Sequence, residues 1–164
     1  MDDTHGKRRR VSKEEEPLPE GTIRELGLDD YDHLLALWQR AGLHSLKPRG
    51  RDSREALARQ LESGVQTILG LQLDGHLAGA VMATHDSRKG WINRLVVRPD
   101  LRRRGYGARL IAAAEEALRA QGIGIIAALV ESDNGASLRL FRKAGYVDAG
   151  RAIHYLSKRE SDDT

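Results

Sequence analysis

Apolar positions along the chain follow two periods, and the switches between them mark the elements. GTIREL, residues 21–26, alternates with period two, as a half-buried strand does. Leu34, Leu35, Leu37, Trp38 and Ala41 then recur at helical spacing and define the apolar face of a first helix. Asp29 or Asp30 can cap its start, and Gly42 is placed to end it. A second helix is predicted over SREALARQLES, with Asp52 or Ser53 as its cap, Leu57 and Leu61 pointing inward, and Gly64 closing it. Residues 65–73 and 76–84 are strand-like runs on either side of Asp74-Gly75, a pair that favours a tight hairpin. The turn HDSRKG leads into a further buried strand, residues 91–97, which Arg98-Pro99 ends because proline has no N–H for a ladder. Helical spacing returns at Leu110, Ile111, Ala114, Ala117 and Leu118, in a helix expected to open at about Ala108 and to stop at Gly122. Residues 123–130 form a continuous apolar run, suited to a strand covered on both faces. The intervening helix implies a parallel crossover between this strand and that of residues 91–97. Ser132, Asp133 or Asn134 can cap a last helix bearing Leu138, Leu140, Phe141 and Ala144. A final strand pair is expected at residues 146–149 and 152–156, for a total of about six to seven strands.

Composition narrows the class. The 164 residues are 40% hydrophobic and 31% charged, which fits one soluble α/β domain with a sizeable core. Residues 1–20 carry charges and prolines but almost nothing apolar, so a disordered tail is expected there, a folded domain over 21–157 and a frayed end over 158–164. The absence of cysteine excludes disulfides, thiolate metal sites and cysteine nucleophiles. No apolar run approaches the roughly 20 residues that cross a membrane. The basic N-terminus lacks the apolar stretch of a signal peptide, so a cytoplasmic location is the expectation. A net charge of +3 does not describe a nucleic-acid surface, and no helix-turn-helix, stacking aromatic pair or zinc spacing accompanies the basic clusters. The six histidines show no ligand spacing, and no metal is expected.

Candidate chemistry sits after the strand of residues 91–97. Arg102, Arg103 and Arg104 precede Gly105-Tyr106-Gly107 at a helix start. Glycines free backbone N–H groups to face a ligand, the helix start is electropositive, and arginines add charge and forked donors. Such a turn binds anions, most often phosphate. It is not a dinucleotide fingerprint, because Leu110 stands where the third glycine would be.

Two segments, VVRPDLRRRGYGARL and ESDNGASLRLFRKAGY, together resemble the GNAT family of N-acetyltransferases. Val97, Pro99, Arg102, Gly105 and Gly107 match its acetyl-CoA motif. Asn134, Ser137, Gly145 and Tyr146 match its Asn-x-x-Ser segment. The resemblance implies a single domain with a mixed central sheet and helices on both faces. It implies acetyl-CoA as co-substrate, with Leu95, Val96 and Val97 along the pantetheine on a bulged strand, and residues 102–107 at the pyrophosphate. Asn134 would bond the pantetheine, Phe141 would lie near the sulfur, and Lys143 or Arg142 near the 3′-phosphate. The partner would be an amine acceptor, and the family also includes homodimers.

Transfer to an amine requires a neutral nucleophile, near-attack geometry, an oxyanion donor and a route for the leaving thiolate. A backbone N–H near Val96 would serve the oxyanion. The chain departs from the family where a tyrosine often protonates the thiolate, since Phe141 stands there; Tyr146, Tyr155 and Ser137 are the hydroxyls within reach in sequence. No glutamate lies on the strand of residues 91–97, where Asn93 is found, which leaves Glu131 as the candidate base or amine anchor, sharing a face with Leu129 if the strand persists. His85 and Asp86 lie in the preceding turn and His44, Lys47, Arg49 and Arg51 make the loop after the first helix basic, a bias towards an acidic acceptor. The missing tyrosine and glutamate also motivate the alternative of a CoA-binding module without catalysis.

Overall fold

The computed structural model describes residues 20–148 and 156–160. Five strands form one mixed sheet in the order β1-β2-β3-β4-β5. They are β1 (Thr22–Glu25), β2 (Gln66–Leu73), β3 (His76–His85), β4 (Gly90–Val97) and β5 (Ile126–Ala128). Helices α1 (Tyr31–Arg40) and α2 (Arg54–Glu62) lie between β1 and β2, α3 (Tyr106–Ala120) between β4 and β5, and α4 (Gly135–Lys143) after β5. Short 3-10 turns at Leu28–Asp30 and Pro99–Leu101 precede α1 and α3. The first four strands are antiparallel neighbours, and β4 and β5 are parallel, as the intervening α3 requires.

The expected six to seven strands reduce to five among the described residues. Residues 146–148 and 156 are irregular, and the remainder of the expected last strand pair, 149–155, lies outside the described residues, as do residues 1–19 and 161–164. The run at 123–130 pairs over three residues only, with Ile125 57% and Leu129 64% exposed on either side of β5. Apolar character reports a tendency to be buried, whereas pairing requires a neighbour to remain alongside.

Two apolar clusters cover the sheet, one on each face. On one face Leu34, Trp38 and Leu57 pack on Ile68, Ala80, Met82 and Val96. On the other, Leu110, Ile111, Ala114 and Leu118 of α3 and Phe141 of α4 pack on Leu71, Val81 and Ile92. Each fully buried leucine or isoleucine contributes about 1.5–3 kcal/mol. Gly79 permits the approach of α3, since a Cβ there would lie 2.9 Å from Leu110 Cδ1 and 3.0 Å from the Val96 carbonyl oxygen.

Local rules act as the residues dictate, with two corrections. Ser53 Oγ caps α2 by accepting from Ala56 N–H at 3.1 Å, and Asn134 Oδ1 caps α4 by accepting from Ser137 N–H at 3.1 Å. Asp30 holds the cap position of α1 without a side-chain cap bond; its carboxylate accepts from Gly27 N–H at 3.0 Å and from Arg24 at 2.6 Å. α3 opens at Tyr106 rather than at Ala108, because Gly105 takes the left-handed cap conformation and lets the helix start at once.

Candidate active site

The neighbours of β4 leave it at different points. β5 pairs only through Gly90↔Ile126, Trp91↔Ala127 and Ile92↔Ala128, while β3 continues to Val97. From Asn93 onward, the β5-side edge of β4 has no strand partner among the described residues. A cavity of about 1200 Å³ occupies this opening, lined by residues 93–97 on one side and by Leu129, Val130 and Glu131 on the other. Arg98 N–H donates to the Ala78 carbonyl at 2.8 Å. Donors alternate along a strand, so Val96 N–H faces β3 while Val97 N–H faces the opening.

At the far end of the cavity lies the start of α3. Gly105 is its cap residue, with φ +81°, a region glycine enters without a Cβ penalty. No side chain caps this helix and no acid occupies its first turn. The first N–H groups of a helix lack intrahelical partners and carry partial positive charge, and Gly105, Tyr106, Gly107 and Ala108 all border the cavity. Gly107 has a different task. A Cβ there would lie 2.8 Å from Leu140 Cδ2, so its absence lets α3 and α4 close on each other. The wall carries six cations (Arg51, Arg94, Arg102, Arg103, Arg139, Lys143) against two carboxylates (Asp52, Glu131), a field that attracts an anion.

The turn into α3 is braced by its own side chains. Arg98 forks onto Asp100 with bonds of 3.1 and 2.5 Å, and this guanidinium holds the Asp100 carboxyl at about 2. Arg102 Nη2 donates to the Ala41 carbonyl at 3.1 Å, tying the turn to the end of α1.

The model of the acetyltransferase (GNAT) family matches residues 29–146. An acetyltransferase of Pectobacterium atrosepticum is 32% identical over 124 residues, 76% of this chain and 86% of that one. The chain belongs to the GNAT acetyltransferase family. Among solved structures, the aminoglycoside N-acetyltransferase AAC(6')-Iy, in complex with a bisubstrate analogue of CoA, shares the fold at a TM-score of 0.72 and 19% identity, over 85% of this chain and 99% of that one. The PaiA N-acetyltransferase of Thermoplasma acidophilum, in complex with coenzyme A, aligns at 0.66 and 19% identity, over 76% and 87%.

In this acetyltransferase, eleven of the twelve residues expected at the cofactor border one cavity; Arg104 is exposed and does not. Lys143 borders it, whereas Arg142 turns away to pair with Asp148 at 2.8 Å. Among the expected acid–base groups the structure separates what sequence proximity joined. Glu131 borders the cavity but is exposed in a turn beyond β5, so it does not share a strand face with Leu129. Asn93 Nδ2 donates to Thr84 Oγ1 at 3.0 Å. Ser137 borders the cavity, Tyr146 does not, and Tyr155 lies outside the described residues. His85 bonds Gln121 at 2.8 Å, and Asp86 caps its own turn by accepting from Arg88 and Lys89 N–H; neither reaches the cavity. On the loop after α1, His44 and Arg51 border the cavity, and Lys47 and Arg49 do not.

Two features of the wall were not legible in the sequence: the burial of Tyr106, a residue expected at the cofactor, and the pairing of Arg94. Tyr106 is 1% exposed and its hydroxyl meets no partner among the described residues. Arg94 forms an ion pair with Asp52 at 2.7 Å, and the two side chains are 15% and 5% exposed. Burial lowers the Arg94 guanidinium from its ordinary value, and the Asp52 carboxylate opposes that shift. Neither Arg94 nor Asp52 belongs to a matched motif, and no local pattern in the chain joins them.

Proposed function

We propose that the protein is an N-acetyltransferase that moves the acetyl group of acetyl-CoA to a primary amine of a small molecule or peptide by direct attack on the thioester. The observation that carries this reading is the continuity of a single cavity from the uncapped start of α3 to the unpaired edge of β4. The first gives fixed donors for a pyrophosphate, and the second gives backbone groups for an extended pantetheine arm. Leu95, Val96 and Val97 line the arm, and Arg102, Arg103, Gly105, Tyr106 and Gly107 surround the phosphates. The cap bond engages Asn134 Oδ1 and leaves its amide N–H groups for the arm. Phe141 borders the cavity as an apolar surface for the sulfur end, and Lys143 adds charge on the α4 side.

The amine lone pair attacks the acetyl carbonyl carbon, the C–S bond breaks, the thiolate leaves, and the amine loses one proton. The backbone N–H of Val97, which flanks Val96 and faces the opening, is placed to stabilise the oxyanion. Glu131 is the carboxylate on the wall outside the Arg94–Asp52 pair and is the candidate acceptor of the proton. At the α1 end, Arg51 and Arg94 stand against the single carboxylate of Asp52, which pairs with both, at 3.9 and 2.7 Å. This balance supports an acceptor that carries an anionic group beside its amine, and opposes a polycation.

The test is release of free thiol from acetyl-CoA against a panel of amino acids, dipeptides and polyamines, with CoA affinity measured by calorimetry. An acceptor-dependent rate above the acceptor-free rate is expected, highest for carboxylate-bearing amines. Tight CoA binding with no stimulation across the panel would favour the non-catalytic module, and a preference for polyamines would reject the anionic acceptor.

A further inference from the structure

Arg94 sits where β4 breaks register. Met82 pairs with Asn93 and Ala80 with Val96, so Val81 spans both Arg94 and Leu95. Arg94 has φ +49°, a region that non-glycine residues enter only at a cost. Period-two alternation would place Arg94 on the face of Ile92, within the α3-side cluster. The extra residue reverses its direction. Its guanidinium instead lies 5.3 Å from the centre of the Trp38 ring of α1 and 2.7 Å from Asp52 Oδ1.

Asp52 anchors the chain between α1 and α2. Its Oδ2 accepts from Lys47 N–H at 2.7 Å, and its carbonyl accepts from the Tyr31 hydroxyl at 2.8 Å. The same segment gives His44, Ser45 and Arg51 to the cavity wall. A buried ion pair is a poor means of gaining stability, because apolar replacements of similar volume often do as well or better. This pair is also imperfectly satisfied, since Arg94 Nη1 is buried with no hydrogen-bond partner among the described residues. Bulges that re-aim a side chain, and backbone strain, concentrate at functional sites.

Resting on the acetyltransferase reading above, we infer that the Asp52–Arg94 pair is a positioning device. It registers the acceptor-side segment between α1 and α2 on β4, at the point where the unpaired edge begins. Order in the acceptor wall is thereby coupled to occupation of the cofactor edge.

Hydrogen exchange of the full chain, with and without CoA, tests this coupling without knowledge of the acceptor. The proteins are wild type, Arg94→Lys and the double variant Asp52→Asn/Arg94→Met, which removes both charges and leaves none buried alone. In wild type, CoA is expected to slow exchange at residues 95–97 and also at residues 43–53, by about fivefold or more at the latter. In the double variant the effect at 95–97 persists while that at 43–53 disappears; Arg94→Lys, which keeps a cation, retains part of it. Unchanged protection of 43–53 in the double variant, or none in wild type, overturns the proposal. Loss of protection throughout β2 and β3 in the double variant also overturns it, by making the pair a general support of the fold. No protection at 95–97 in wild type removes the cofactor site itself, and this coupling with it.

Discussion

Tyr146 packs edge-on against Phe141, with ring centroids 5.1 Å apart and planes at 79°, and only Phe141 of the two borders the cavity. The Tyr146 hydroxyl thus belongs to a residue that does not border the cavity. Burial first, then the neighbouring Glu115 carboxylate of α3, push the Tyr146 phenol well above its ordinary value. Such a group holds its proton too tightly to give it to a leaving thiolate.

Phe141→Tyr supplies a hydroxyl at the cavity. Because a thiolate already leaves well, the expected gain in kcat is about tenfold, below the usual range for general acids. CoA affinity should stay the same. Acceptor-dependent thiol release measures the first and calorimetry the second; an unchanged kcat would show that no donor is needed at this position.

Tyr146→Phe should leave kcat unchanged and alter alkaline stability. The folded protein keeps the Tyr146 proton to higher pH than the unfolded chain, which loses it near the ordinary value of about 10. The contribution is complete below that value and is lost as pH rises towards the folded value. Denaturant melts across the alkaline range should therefore show wild type losing stability more steeply than Tyr146→Phe. Parallel profiles would contradict the burial of this phenol.

Gly105→Val and Gly107→Val should both weaken CoA binding, for different reasons. At Gly105 a side chain meets the left-handed φ of +81°, a strain of about 1–2 kcal/mol placed directly in the anion turn. At Gly107 it displaces Leu140, with an overpacking cost of about 1–3 kcal/mol between α3 and α4. Calorimetry should show at least a tenfold loss of affinity in each. Thermal melts should show the larger fall in Tm for Gly107→Val. An unaltered Kd in Gly105→Val would remove the phosphate site from this turn.

Glu131→Gln tests the candidate base. If Glu131 accepts the amine proton, the acceptor-dependent rate should fall about a hundredfold while CoA affinity holds. A change within twofold would make it a turn residue whose carbonyl accepts from Asn134 N–H, as it does at 3.0 Å.

Much of the framework follows from local chemistry. Asp74 and Gly75 take φ of +50° and +77° in the β2–β3 hairpin, which is what an Asp-Gly pair between apolar runs allows. Gly42 and Gly122 take positive φ just beyond α1 and α3. The glycine turn lies at the start of α3, and of the residues matched to the acetyl-CoA motif all but Pro99 border one cavity. The extent of β5 was not legible. An eight-residue apolar run looks the same whether or not its neighbour stays beside it, and the β4–β5 pairing ends at Ile92↔Ala128.

Asp52 shows the limit most clearly. It stands beside Ser53 at the start of α2, and either residue satisfies the local cap preference. Ser53 takes the cap, and Asp52 goes to Arg94.

Turns, helix periods and the glycine segment at the start of α3 depend on atoms a few residues apart, so the chain alone determined them. The bulge at Arg94 depends on the register between β3 and β4, and a shift of one residue sends every later side chain to the opposite face. The ion pair, the open edge of β4 and the exclusion of Tyr146 from the cavity wall depend on which surfaces meet in the fold. Only the tertiary structure decided these, because burial and register are settled by the whole sheet and its two helical layers.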